Sequence, residues 1–368
     1  MSAMIRHKQK RKKIMSQNTK IRVAIVGVGN CASSFIQGLE YYKSVDEPSL
    51  PVPGLMHNNF GGYLIRDIEV VAAFDVNSNK IGKDIAEAIW VAPTNSRKFA
   101  DVLCKGVAVS PGFLGDGIAP HMRDYFPLQE TPNRVVDVLK KTGTEICISF
   151  LPVGSQEATR FYAQICLDAR VAFINGIPEF IASDPEWAEK FRQAGIPCAG
   201  DDIQSQVGAT ILHRMLVGIV RERGQVIENS YQLDIGGNMD FDNLTDRRRL
   251  ASKKISKTDP VIYEAGTSNV KVVPADYIPF LGDNKIAYIN IKGRQFGDFP
   301  FEIELKMSVE DSPNNAGVMV DAVRAMKLSL DRKLVGYQEW SAYFFKHPLR
   351  LIPLREARQM VEDFIAER

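Results

Sequence analysis

VAIVGVGNCASS (residues 23–34) decides the fold of this chain. Four apolar residues run straight into Gly-x-Gly and then into small residues, the pattern of a buried strand meeting the first turn of a helix. Gly27, Gly29 and Ala32 fit the spacing G-x-G-x-x-A. The first glycine permits a tight turn, the second lets backbone approach a pyrophosphate, and the small third residue lets the helix pack on the strand. A phosphate would sit at the helix N-terminus, where backbone N–H groups lack partners. Such glycines also occur at turns with no ligand, but the strand before and the helix after favour a dinucleotide.

Further apolar runs follow: IEVVAAFDV (68–76), EICISFLPV (145–153), VAFINGIP (171–178) and IPCAGDD (196–202), alternating with helical stretches. The alternation predicts βαβ units and a parallel sheet covered on both faces. The ligand crevice of such a sheet lies at the carboxyl ends of its strands, which directs Asp75, Ser149, Asn175 and Asp202 toward it. No acidic residue stands about 20 positions after the glycines, where a ribose ligand is usual. Asp75 ends the next strand instead, after YYKSVDEPSLPVPGLMHNNFGGYLI (41–65), which reads as a loop insertion near the cofactor. A carboxylate there accepts from both ribose hydroxyls and repels a 2′-phosphate, favouring NAD over NADP; the alternative is a solvated strand-end aspartate.

From about residue 212 to 309 the pattern becomes period-two alternation, in NSYQLDI, KVVPADYI, KIAYINIKG and FEIELKMSV. These runs predict an antiparallel sheet. Helical periodicity returns in AGVMVDAVRAMKLSLDRKL and LREARQMVEDFIAE, expected to pack back on the first unit. The fold expected is α/β, a Rossmann-type doubly wound parallel sheet with an inserted α+β domain built on an antiparallel sheet. Residues 1–20 form a basic disordered tail, 21–210 with 310–368 the NAD-binding domain, and 211–309 a catalytic and oligomerisation domain.

The 368 residues suffice for two such cores. A content of 45% hydrophobic and 24% charged residues is that of a soluble globular protein, and a net charge of +2 gives no electrostatic case for nucleic acid. The five cysteines never fall in a C-x-x-C spacing, which argues against a disulfide framework or zinc knuckle and for a cytoplasmic home. No apolar run suggests a membrane span or a signal peptide. HKQKRKK (7–13) reads as a solvated tail rather than a nucleic-acid arm.

RRRLASKKISK (247–257) is the most unusual local feature. Lys253 and Lys257, four apart, share one helix face, where like charges cost about 0.2–0.5 kcal/mol per pair unless an anion sits between them. Composition alone favours a solvated basic face. Around it stand polar turns, DIGGNMDFDN (234–243), GDNK (282–285) and EDSPNNAG (310–317), each ordinary by itself.

With GDDIQSQVGAT (200–210), these residues resemble the myo-inositol-1-phosphate synthase family. The likeness runs from Val23 to about Pro348 through GVGNCASS, VPGLMH, FLPVGS, FIASDPEWA, GGNMDF, SKKISK and DSPNNAG, and looks most like the shorter bacterial and archaeal branch. The resemblance implies a tightly held NAD, conversion of D-glucose 6-phosphate into 1L-myo-inositol 1-phosphate, and a homotetramer assembled through the antiparallel domain. It further implies hydride transfer from C5 to NAD, enolisation at C6, attack of C6 on the C1 aldehyde, and return of the hydride. Oxygens at C5 and C1 thus gain negative charge in turn, which preorganised ammonium groups stabilise.

By motif the resemblance carries the catalytic lysines onto Lys253, Lys257, Lys285 and Lys346, the last in FFKHP. Lys257 and Lys285 are assigned to the C5 oxygen, with Lys257 handling its proton, and Lys253 and Lys346 to the C1 oxygen. Crowding by other lysines gives these groups a reason to titrate low. Gly27, Gly29, Asn30, Cys31, Asp75, Ser149, Asn175, Asp202 and Asp311 are the expected cofactor contacts. Ser205 to Thr210, with Gly237 and Asn238, would hold the substrate phosphate, and Asp240 and Asp283 would flank the substrate. A divalent or monovalent cation is also conceivable in the family, with no ligand spacing that settles it. Gln204 stands where the family pattern leads one to expect lysine. The competing readings are an NAD-dependent dehydrogenase, a cyclase acting on another sugar phosphate, and a nonenzymatic NAD-binding sensor.

Overall fold

The computed structural model describes residues 20–45, 51–129, 132 and 134–367. The basic stretch 7–13 lies outside the described residues. The chain opens with β1 (Ile21–Val26), α1 (Asn30–Tyr41), β2 (Ile68–Asp75), α2 (Ile85–Ala88) and β3 (Val109–Pro111). It continues through α3 (Val135–Lys141), β4 (Ile146–Ser149), α4 (Gln156–Ala169), β5 (Ala172–Asn175), α5 (Pro185–Ala194) and β6 (Pro197–Ala199). After α6 (Ala209–Glu222) come β7 (Val226–Gly236), α7 (Met239–Asn243), α8 (Ala251–Ala265), β8 (Val270–Tyr277), β9 (Asn284–Arg294) and β10 (Pro300–Glu310). The chain closes with α9 (Asp311–Asp331), β11 (Gly336–Tyr337), α10 (Ser341–Phe344) and α11 (Leu354–Ala366).

Seven strands form one parallel sheet in the order β11-β6-β5-β4-β1-β2-β3. Its apolar runs are continuous because both faces are covered. On one face Ile21, Val23 and Ile25 pack with Phe35 and Ile36 of α1 and with Met319, Val323 and Met326 of α9. On the other face Ala24 and Val26 pack with Ala158 and Tyr162 of α4 and Phe191 of α5. The two late helices do return to this unit: α9 lies against α1, and Val361 of α11 joins the same cluster.

The second sheet has the order β10-β9-β7-β8. The expected antiparallel pairing holds for β10 with β9 and β9 with β7, whereas β7 and β8 run parallel. Parallel neighbours need a crossover, and α7 and α8 between β7 and β8 supply it. Val217, Val220, Val261 and Ala265 of α6 and α8 cover one face of this mixed sheet together with Ile289 and Ile291 of β9.

The insertion before β2 corrects a second expectation. Its described residues pack against α9 and line no part of the cavity described below. Arg324 donates to the backbone oxygens of His57, Asn58 and Tyr63 at 2.8, 3.2 and 3.2 Å, and Phe60 is buried in the first core. A fully buried guanidinium (0% exposed) satisfying three carbonyls turns the loop toward the core rather than toward the crevice. No helix among the described residues is long and apolar enough to cross a membrane.

Candidate active site

The glycine turn joins β1 to α1 as its sequence requires. Gly27 has φ +88°, and a Cβ there would lie 2.7 Å from the Phe150 carbonyl oxygen, so only glycine fits. At Gly29 an added Cβ would meet nothing within 4 Å, and the α1 N-terminus has no side-chain cap. Open space in front of uncapped N–H groups fits a pyrophosphate. The peptide between the two glycines is held on both sides: Val28 N–H donates to Asp75 Oδ2 at 2.8 Å, and Val28 O accepts from Lys80 Nζ at 2.6 Å. Asp75 Oδ1 accepts from Asn77 N–H at 2.8 Å, and the residue lines the crevice. Sequence reasoning missed Lys80, a buried cation on the same wall whose pKa burial lowers despite Asp75. A lysine five positions beyond the strand-end aspartate was the available signal.

A cavity of about 240 Å³ extends from this turn to the second sheet. From the first unit it is lined by Gly27, Gly29, Asn30, Cys31, Asp75 and Asp202, and from α9 by Asp311. Ser205, Thr210, Asn238 and Asp240 line it too, as do Lys253, Lys257, Lys285 and Lys346. Ser149, Asn175, Gly237 and Asp283 do not line it. Asn175 instead donates to Glu179 O at 2.5 Å and to Asp201 Oδ1 at 2.8 Å, and Ser149 is fully buried at its strand end. Gly237 is enclosed, since a Cβ there would come within 2.7 Å of the backbone of Ile278 and Gly282. Asp283 accepts from Asn238, Asn30 and Ser312 at 3.0, 3.0 and 2.8 Å, tying three wall segments together.

Each ammonium faces a carboxylate. Lys257 Nζ lies 2.6 Å from Asp234 Oδ2, and Lys285 pairs with Asp311. Lys253 lies 3.4 Å from Asp240 Oδ2 and 3.8 Å from Asp202 Oδ1. Lys346, far away in sequence, donates to Asp202 Oδ1 at 2.8 Å and to Ile203 O at 2.7 Å. Two backbone contacts bring it there: Lys346 N–H donates to Asp202 O at 2.7 Å, and Ile203 bridges Phe345 in antiparallel sense.

The expectation that these lysines titrate low is corrected for two of them. Burial pulls Lys253 down, but Asp202, Asp240 and Asp311 outweigh it and leave the ammonium above its ordinary value. Lys285 is likewise raised, by Asp311 and Asp234 against burial. Lys346 goes the other way: burial, with Lys253 and Lys257 adding to it, outweighs Asp202 and brings it to about 8. Asp202, Asp234 and Asp311 are held below the usual range by these lysines in spite of burial. Asp283, with no lysine of its own, is pushed up to about 6 by burial and the Asp311 charge. Burial and the Asp311, Asp283 and Asp240 charges push the Cys31 thiol up to about 12, so it serves as an inert wall.

Gly208, also in the lining, precedes α6 with no side-chain cap, so no side chain caps the N–H groups of its first turn. Ser205 Oγ donates to Asn315 Oδ1 at 2.7 Å and Val207 N–H to Asn314 Oδ1 at 2.8 Å, fixing the preceding loop on α9. Gln204 accepts at 3.2 Å from the buried Arg214 and donates to Tyr343 O at 3.2 Å; Arg214 also pairs with Glu264 at 2.9 Å. A neutral amide here offers the guanidinium an acceptor without adding a second positive charge. Among the described residues no three His, Cys, Asp or Glu side chains are placed to hold a metal ion. Asp202, Asp240 and Asp311 on the wall each face a lysine.

The geometry has clear relatives. The sequence model of the myo-inositol-1-phosphate synthase family matches residues 208–312, the stretch that carries Lys253, Lys257, Lys285 and Asp311. An inositol-3-phosphate synthase of Mycobacterium tuberculosis is 49% identical over 354 residues, spanning 95% of this chain and 96% of the relative. One of Corynebacterium glutamicum is 48% identical over 364 residues, spanning 96% of this chain and 100% of the relative. Among solved structures, a myo-inositol-1-phosphate synthase-related protein from Thermotoga maritima aligns with a TM-score of 0.77 at 25% identity, covering 94% of this chain and 98% of its own. Near-half identity along almost the full length of both partners, on a fold with the same architecture, makes this chain a member of the myo-inositol-1-phosphate synthase family.

Proposed function

We propose that this chain converts D-glucose 6-phosphate into 1L-myo-inositol 1-phosphate without net oxidation. The observation that carries the reading is the set of four lysines, each beside an aspartate, on one cavity wall with an open glycine turn. Gly27, Gly29, Asn30 and the α1 N-terminus would hold the pyrophosphate of NAD, and Asp75 its ribose. Bound NAD supplies a reversible hydride acceptor for C5 of the sugar. The α6 N-terminus, with Ser205 and Thr210, grips the substrate phosphate. Lys257 and Lys285 stabilise negative charge on the C5 oxygen as C6 is deprotonated, and Lys257 handles that oxygen's proton. Lys253 and Lys346, both drawn to Asp202, stabilise the oxyanion at C1 as the C6–C1 bond forms. Lys346, at about 8, changes charge near neutral pH and is the group suited to protonate that oxygen.

Phosphorus and carbon NMR of the protein with glucose 6-phosphate and a small amount of NAD tests the reading. Conversion of many substrate equivalents per NAD supports the cyclase. Turnover that stops at the NAD supplied, with an oxidised sugar accumulating, replaces it with a dehydrogenase.

Residues 211–309 form, in this reading, the catalytic and oligomerisation unit inserted between the two parts of the NAD-binding unit. The sheet face opposite α6 and α8 leaves Tyr231, Leu233 and Tyr288 partly exposed, 36–40%. An apolar patch of this type suits contact with further copies of the chain, here a homotetramer. The cysteines are all free thiols, in keeping with a reducing cytoplasm.

A further inference from the structure

Behind Lys257 a line of buried polar side chains runs away from the cavity into the second sheet. Asp234, which holds the Lys257 ammonium, accepts from Gln232 Nε2 at 3.1 and 3.0 Å on its two oxygens. The other end of that amide, Gln232 Oε1, lies 3.2 Å from His213 Nδ1. His213 Nε2 lies 2.6 Å from Ser230 Oγ, and that oxygen lies 2.6 Å from Asn290 O. Asp234, Gln232 and His213 are all 0% exposed. The chemistry derived above uses neither Gln232 nor His213.

Donor accounting fixes the sense of the chain. An ionised carboxylate only accepts, so Gln232 turns its NH₂ toward Asp234 and its carbonyl oxygen toward the ring. That oxygen also only accepts, so the proton at the next contact belongs to His213 Nδ1. With its one proton on Nδ1, a neutral ring accepts at Nε2 from the Ser230 hydroxyl; a hydroxyl donating to Asn290 O instead would call for a second ring proton, on Nε2. Burial pushes the ring down to about 4 against the pull of Gln232 and Asp234, so at neutral pH it carries that single proton. The chain is therefore polarised one way, from ring N–H to amide oxygen and from amide N–H to carboxylate. Asp311 and Lys346 also interact electrostatically with Lys257.

We propose that His213 and Gln232 are positioning residues for the C5 chemistry, holding the Asp234 carboxylate in the one orientation that presents Lys257 to the substrate. The inference rests on the function proposed above. Side-chain truncation of a buried polar chain leaves unpaired groups and lets the carboxylate turn, and misplacement of a reacting group by about 1 Å costs up to about 10²-fold in rate.

Nitrogen NMR of histidine-labelled resting protein needs no turnover and reads the ring directly. The expected result is a neutral His213 protonated on Nδ1, assigned by its loss in His213→Asn; an Nε2-protonated ring breaks the chain at Gln232 and overturns the proposal. The kinetic arm compares His213→Asn, whose side-chain N–H stands where Nδ1 stood, with His213→Gln, which reproduces only the Nε2 side. His213→Asn should retain most of the turnover. His213→Gln should lose at least about tenfold in kcat with KM and NAD affinity unchanged. Gln232→Leu should match that loss. Equal losses in the two His213 variants, or wild-type kcat in Gln232→Leu, overturn the proposal. Absence of glucose 6-phosphate turnover in the wild type would instead overturn the functional reading, and the NMR arm would still decide the chain.

Discussion

Lys346 differs from its neighbours in how little carboxylate surrounds its ammonium: Asp202 is its partner, and Lys253 shares that partner. Its pKa of about 8 lies below the ordinary 10.5, so keeping it charged inside the fold costs stability at neutral pH, and that cost fades as pH rises from about 8 toward 10.5. Lys253 and Lys285, both raised, run the opposite way; their contribution is full below 10.5 and lost as pH climbs through their shifted values. Asp202, Asp234 and Asp311, all lowered, stabilise above 3.8 and lose that contribution on acidification. For turnover, a proton donor at about 8 predicts that kcat falls as pH rises through that value. In Lys346→Met the limb should vanish and kcat drop by about 10²-fold, read from a pH–rate profile. Lys257→Ala should lower kcat by about 10²–10³-fold while NAD still binds, checked by cofactor titration; undiminished activity removes Lys257 from the site. Gln204→Lys would set an ammonium beside the Arg214 guanidinium and should destabilise the fold by about 1–3 kcal/mol, seen as a lower Tm.

At the scale of elements, the β1–α1 turn separates two glycines that the motif treats alike. Gly27→Ala puts a methyl 2.7 Å from a backbone oxygen at φ +88°, so it should lower the melting temperature with or without NAD. Gly29→Val projects into open space and should leave the apo melting temperature nearly unchanged while abolishing the thermal shift that NAD produces. A pair of melting curves distinguishes the two. The strand β1 was legible because Ile21, Val23 and Ile25 face one core and Ala24 and Val26 the other, leaving Arg22 near its start as the one polar position. The parallel pairing of β8 was less so. Period-two alternation reports which side chains are buried, and it is the same for either strand direction.

Across the whole molecule, the exposed face of the second sheet is the face proposed to meet further copies of the chain. Leu233→Asp, with Leu233 opposite Tyr288 in the β7–β9 register, places charge at its middle. It should shift the protein from tetramer to smaller species in light scattering while leaving the NAD-induced thermal shift intact; a wild-type chain that runs as a monomer defeats the assembly reading.

The chain alone determined its parallel sheet and its glycine turn, because these depend on residue order: buried strands read as apolar runs, and motif spacing survives in one dimension. What surrounds each lysine was decided only by the tertiary structure. Asp234 stands 23 positions before Lys257 and Asp202 stands 144 before Lys346. Lys80, Gln204 with Arg214, and the packing of the insertion on α9 are likewise contacts across folded segments. Charge on a lysine is set by burial and by carboxylates within a few ångströms, and distance along the chain carries almost none of that information.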